Sequence, residues 1–294
     1  MPISSRSRGG WRRAVSLLPM LLLGMTIGVG RVEAQAAQPT APADAPPELL
    51  QALAQIDAAA SQGKLQEVMM FYSPDFRNAD GLTYATLQDA LKRLWQQYPN
   101  LTYKTQLNSW QSDGNAIVVE TTTTIATAPA QAPTQLPTRL RQGAIETERL
   151  TATITSRQRF ENQRIVQQEI LAERSQLTSG EQPPTVTVSL PEQVRIGQSY
   201  EFDAVVAEPL GDRLLLGAAM EEPIQASGYL QSTPVELELL SSGGLFKVGR
   251  APIKPESLWV SGVIIRDGGM TSVSQRLQIV PLTTSPTRPI APSR

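Results

Sequence analysis

Apolar residues recur at helical spacing along the first part of the chain. Leu49, Leu53, Ile56 and Ala60 fall at i, i+4, i+7 and i+11, which puts them on one face of a helix. Pro46-Pro47 suits its start and Gly63 its end. Leu65, Val68, Met69 and Tyr72 predict a second, shorter helix that Pro74 stops. Thr83 is placed to cap a third, carried by Tyr84, Leu87, Leu91, Leu94 and Trp95 until Tyr98-Pro99. The period then falls to two. Leu101, Tyr103, Thr105 and Leu107 alternate with polar residues, Ser112-Asp113-Gly114-Asn115 makes a turn, and Ile117, Val119, Thr121, Thr123 and Ile125 form the returning strand. Residues 128–138 are a Pro/Ala/Gln loop expected to be mobile. Two further strands, 146–160 and 165–175, flank a turn at Glu161-Asn162-Gln163-Arg164.

After Ser179-Gly180-Glu181-Gln182-Pro183-Pro184 the pattern changes to short β-type runs only. They are 185–190, 198–207, 213–220, 235–240, 245–250, 258–266 and 271–280, with turns at Gly211-Asp212, Ser242-Gly243-Gly244 and Asp267-Gly268-Gly269. Such spacing suggests an immunoglobulin-like β-sandwich over residues 183–281, without a Cys-Trp-Cys signature. Residues 283–294 read as a disordered tail.

The N-terminus adds a compartment. Arg6, Arg8, Arg12 and Arg13 precede a mostly apolar run from Ala14 to Val29. Val32-Glu33-Ala34 and Ala34-Gln35-Ala36 then fit small-x-small cleavage, the pattern of a secretory signal peptide over residues 1–34, cut after Ala34 or Ala36. Residues 35–46 read as a flexible linker. The run is broken by Pro19, Gly24 and Gly28, so no stable membrane span is expected after cleavage. The expected location is periplasmic or another extracytoplasmic space. Loss of residues 1–34 changes the net charge from −1 to −5, and no basic stripe interleaved with aromatics is present, which disfavours nucleic acid as a partner.

Composition narrows the chemistry further. The 294 residues include no histidine and no cysteine. A Ser-His-Asp triad, thiol nucleophiles, zinc-thiolate sites and disulfides are therefore excluded. No cofactor or metal is expected. Asp203, Glu208, Asp212, Glu221 and Glu222 follow no calcium-loop spacing.

The helix-Gly-helix entry (Ile56 to Gly63, then Leu65 to Phe71), the FYSPDF segment (71–76), the Leu87/Leu91/Trp95 helix and the strands RQRF (157–160) and RIVQQEI (164–170) resemble the nuclear transport factor 2-like superfamily. That superfamily includes ketosteroid isomerase and the SnoaL-type cyclases. The resemblance covers about residues 47–179. It implies an α+β fold in which three helices and a curved antiparallel sheet make a cone, here followed by the all-β sandwich, as in uncharacterised exported bacterial proteins. It also places Asp80 where ketosteroid isomerase carries its general base, five residues after Asp75. The enolate-binding Tyr and Asp of that enzyme would fall at Ile56 and Ser156, neither of which replaces the donor.

Asp80 equally suits a turn before Gly81. The candidates for lining a ligand cleft are Tyr72, Tyr84, Trp95, Glu120, Arg157 and Glu169; the charged three also suit cross-strand ion pairs on a wet sheet face, and the aromatics a core. The missing donors favour an exported, non-enzymatic binding or protein-interaction protein, with a protein partner or a small hydrophobic ligand. The alternatives are an isomerase, cyclase or dehydratase acting in the cleft, and a structural homodimerisation module.

Overall fold

The structure is a computed structural model that describes residues 16–17, 42, 44–128, 148–209, 211, 213–229 and 233–282. Apart from β1 (Ser16–Leu17), the expected leader lies outside the described residues. So do most of 35–46, nearly all of the 128–138 loop, and the tail beyond Leu282. No helix among the described residues is long and apolar enough to cross a membrane.

Helix α1 (Pro47–Ser61) carries a proline in its first turn and buries Leu49, Leu53, Ala59 and Ala60. Gly63, at φ +65°, turns the chain into α2 (Leu65–Met69). The helix ends there, short of the expected Tyr72, and Pro74, expected as a stop, lies within strand β2 (Tyr72–Asn78). This strand runs parallel to β6 (Arg164–Gly180), paired at Tyr72–Ile165 and again at Arg77–Gln167, with the register broken between. Ser73-Pro74 sits in that break, where the missing proline N–H removes no ladder bond, and Phe76 turns fully inward.

Helix α3 (Tyr84–Gln97) starts on a reciprocal cap: the Thr83 N–H donates to Thr86 Oγ1 at 2.8 Å and the Thr86 N–H to Thr83 Oγ1 at 3.4 Å. None of its residues is fully buried although its apolar side faces inward. What it faces is partly empty space.

Strands β3 (Leu101–Asp113), β4 (Ala116–Thr127), β5 (Arg149–Glu161) and β6 pair antiparallel in sequence order. In the two-residue β5–β6 turn, Asn162 and Gln163 both have positive φ, 49° and 62°, as a type I′ hairpin demands. The remaining strands are β7 (Val186–Ser189), β8 (Gln193–Arg195), β9 (Ser199–Val206), β10 (Leu216–Pro223), β11 (Thr233–Pro234), β12 (Glu238–Leu239), β13 (Gly244–Arg250), β14 (Glu256–Arg266) and β15 (Gly269–Val280).

The expected fold class, an α+β cone followed by a separate all-β sandwich, is overturned. Among the described residues the chain is mostly strand with only three helices, and one ten-stranded sheet runs through both halves. Its main path is β12-β10-β14-β15-β6-β5-β4-β3, with β2 on β6 and β8 on β15. The cause is the length of β6. Its last residues, Arg174 to Gly180, pair along β15, so backbone groups that would form a free edge are used to join the halves. The smaller sheet, β13-β9-β7, shares a core with this continuation through Tyr200, Phe202, Val260, Leu258 and Leu277. The opposite face of β14 is also covered, since Trp259 packs with Leu82, Ile224 and Tyr229. A strand buried on both faces reads as a near-continuous apolar run, and LWVSGVII, interrupted only at Ser261-Gly262, has that form in the sequence.

Candidate functional site

The helices and the strands β3 to β6 do not close completely on each other. Between them lies a cavity of about 170 Å³, comparable to an engineered apolar cavity of about 150 Å³ that takes up benzene. Alternate residues of a strand point to opposite faces, so Ile154, Ser156 and Gln158 of β5 line this space together. From α1 the helical period brings Leu53, Ile56, Asp57 and Ala60 to it, and α3 contributes Leu87, Leu91 and Trp95. Tyr229, from the C-terminal half, completes the wall.

The surface of the wall is mainly apolar, and most of its polar groups are paired. Asp57 accepts the Thr105 N–H at 2.5 Å and the Thr105 hydroxyl at 2.6 Å, and Thr105 Oγ1 lies 3.0 Å from Thr123 Oγ1. Burial raises the Asp57 carboxyl above its ordinary range, against the lowering effect of the two Thr105 hydrogen bonds. Trp95 donates its indole N–H to Tyr103 Oη at 2.8 Å. Burial pushes Tyr72 up to about 12, so its hydroxyl stays protonated. Ser156 Oγ lies 3.3 Å from Thr121 Oγ1 and accepts from Gln158 Nε2 at 3.2 Å. Gln158 Oε1 is buried and has no partner.

Of the residues singled out from the sequence, Tyr72 and Trp95 line the cavity, as do Ile56 and Ser156. Tyr84 instead packs in the neighbouring core with Leu49, Phe76 and Phe160. Glu120, Arg157 and Glu169 meet on the other face of the sheet, because Val119 and Ser156, their neighbours in sequence, point inward. There Arg157 donates to Glu120 at 2.7 Å and to Glu169 at 3.3 Å, in partly exposed pairs.

Asp80 lies at the seam of the two halves. Its carboxylate accepts from Arg276 Nη1 at 2.9 Å and Nη2 at 2.7 Å, and from the Tyr229 hydroxyl at 2.5 Å. Arg276 also donates to Glu173 Oε2, from Nε at 3.3 Å and Nη2 at 3.1 Å. Burial raises the Glu173 carboxyl, Arg276 lowers it, and Asp80 raises it again. Burial works against the Arg276 charge, but Glu173 and Asp80 outweigh it and keep the guanidinium protonated. The cluster is a buried acid–Arg–acid group whose arginine is supplied 196 positions away from Asp80. With both oxygens engaged, Asp80 is occupied holding the halves together.

The comparisons with known proteins bear on this geometry only in outline. A family described as a domain of unknown function (DUF8623) matches residues 181–280. The comparison with curated proteins returns no match. Among solved structures the chain is similar to an LEH-like epoxide hydrolase of M. tuberculosis and to AclR from Streptomyces galilaeus, a candidate hydroxylase. Each is 14% identical over 42% of this chain, covering 80% and 86% of those chains, with TM-scores of 0.28 and 0.29. Bdellovibrio bacteriovorus Bd1075 aligns over 42% of this chain and 38% of its own, at 14% identity and a TM-score of 0.28.

Sequence reasoning missed Asp57, Gln158 and Tyr229. Asp57 had a signal, since it lies four residues after Leu53 and three before Ala60, an acid on an otherwise apolar helix face. Gln158 was legible only as a polar position on a strand, and Tyr229 had none, because its partner Asp80 is 149 positions away. Among the described residues no cluster of acids could hold a metal ion.

Proposed function

We propose that this protein binds a small, mostly apolar molecule in the cavity between its three helices and its sheet. The observation that carries the reading is the cavity itself: an interior is normally packed without voids much larger than a water molecule, yet here about 170 Å³ is left open beneath a helix that contributes no fully buried residue. Space lined by hydrocarbon with a few placed polar groups is the usual form of a small-molecule site. The protein is read as acting outside the cytoplasm, on the strength of the basic and apolar N-terminal sequence and its small-x-small sites. Mass measurement of exported protein is expected to place the mature start at Gln35 or Ala37.

Binding is tested by thermal unfolding with a panel of small aromatic hydrocarbons. Occupancy is expected to raise Tm in proportion to the logarithm of ligand concentration, and Leu91→Trp, which fills the space, is expected to abolish the rise. Absence of any shift across the panel would overturn the reading.

A second reading rests on Asp57. A carboxyl whose pKa burial raises is suited to exchange protons with a ligand, which would make the protein an isomerase, cyclase or dehydratase. Under that reading Asp57→Asn removes turnover of ketone or β-hydroxycarbonyl substrates while binding persists. Under the leading reading no turnover exists to be lost.

A further inference from the structure

The inference rests on reading the cavity as a ligand site and concerns what it selects. Three carboxamides lie side by side across the cavity wall: Asn78 on β2, Gln168 on β6 and Gln158 on β5. The register pairs Asn78 with Gln168 and Gln168 with Gln158, and all three line the cavity. Asn78 is committed. Its Oδ1 accepts the Asp80 N–H at 2.7 Å and its Nδ2 donates to Gln168 Oε1 at 3.4 Å. Gln158 Nε2 is held by Ser156 Oγ. The Gln168 amide hydrogens and Gln158 Oε1 remain, and that oxygen belongs to a side chain more than nine-tenths buried and has no partner.

An unpaired buried carbonyl costs about 1–3 kcal/mol, a cost that a ligand donor removes. The charges on the wall decide the rest. Among the described residues no lysine or arginine lines the cavity and one acid does, so an anionic ligand would be buried without a counter-charge.

We propose that the cavity selects a neutral, apolar ring that carries a hydroxyl group. The ligand O–H donates to Gln158 Oε1, and its oxygen accepts from Gln168 Nε2 across the strand pair. The body of the ring lies against Ile154, Ile170 and Leu91.

The test uses the full chain and three ligands of similar size, 4-methylphenol, methoxybenzene and ethylbenzene, titrated by calorimetry or by amide shifts. The phenol is expected to bind about ten times more tightly than methoxybenzene, which keeps the oxygen but lacks the donor, the gain from one buried hydrogen bond, and more tightly still than ethylbenzene, which lacks both. Gln158→Leu is expected to bring the phenol down to the affinity of methoxybenzene, and an unchanged far-ultraviolet circular dichroism spectrum reports that the variant is folded. Equal binding of all three by the wild type would overturn the inference while leaving the cavity reading intact. Methoxybenzene binding as tightly as the phenol would show the amide turned with its N–H toward the ligand, and would overturn the donor assignment. Binding of none of the three would remove both readings. The wild-type series decides the matter alone if the variant does not fold.

Discussion

At the residue scale, two of the charged clusters have opposite environments and should respond differently to substitution. Arg276 is 1% exposed in its side chain and balances two buried acids. Removing one partner of a buried pair leaves uncompensated charge, at a cost of about 3–5 kcal/mol. Arg276→Ala is therefore expected to lower stability by that order in urea denaturation at neutral pH. Arg157→Ala breaks partly exposed pairs with Glu120 and Glu169 and is expected to cost no more than about 1 kcal/mol. Glu173 adds a pH dependence. Burial raises its carboxyl above the ordinary 4.5, so between that value and the raised one the folded chain holds more protons than the unfolded chain. This contribution is fully present below 4.5 and is lost as pH rises through the folded value. Asp57, also raised by burial, acts in the same direction. Glu173→Gln is expected to flatten the fall in urea midpoint as pH is raised.

At the scale of elements, the tight connections carry the clearest consequences. The β5–β6 turn holds two residues with side chains, Asn162 and Gln163, at positive φ. Asparagine tolerates that region, but glutamine does not share its short side chain, and the left-handed conformation costs about 1–2 kcal/mol. Gln163→Gly is expected to stabilise the hairpin by about 1 kcal/mol, read as a higher thermal midpoint, with the native register retained. Gly180, where β6 meets β15, behaves in the opposite way. It has φ +99°, and an added Cβ would lie 2.5 Å from the Gly268 carbonyl oxygen and 2.6 Å from Gly269 Cα. Both obstacles are backbone, so Gly180→Ala is expected to force the two strands apart at that point and to weaken amide protection in β15, measured by hydrogen exchange.

At the scale of the whole molecule, the shared sheet and the Asp80–Arg276–Glu173 group make the halves interdependent. Trp259, Tyr229 and Leu82 pack at the same seam, so each half in isolation would expose apolar surface that the other covers. Unfolding is expected to be one cooperative transition, with tryptophan fluorescence and far-ultraviolet circular dichroism giving coincident curves. Two separated transitions would contradict the continuous sheet. The arrangement also ties the cavity to the C-terminal half, because Tyr229 lines the cavity and donates to Asp80.

Local pattern determined much of this protein. The helix faces at Leu53/Ile56/Ala60 and Leu87/Leu91/Trp95, the Thr83 cap and the principal strands all follow from side-chain periodicity and backbone chemistry within a few residues. The same pattern left Tyr72, Tyr84 and Trp95 open between core and cleft; Tyr72 and Trp95 line the cavity and Tyr84 packs in the neighbouring core. Three matters lay beyond it. Pro74 reads as a breaker, yet a register break in a parallel strand accepts it. Where a sheet ends depends on which distant edge its last strand meets, and β6 meets β15 about ninety residues later. Whether a polar residue on an inward face is a partner or an orphan depends on its neighbours in space, which is why Asp80 proved to be tied to Arg276 and Tyr229 while Gln158 Oε1 was left unpaired. Periodicity assigns each side chain a face, and only tertiary packing assigns it a neighbour.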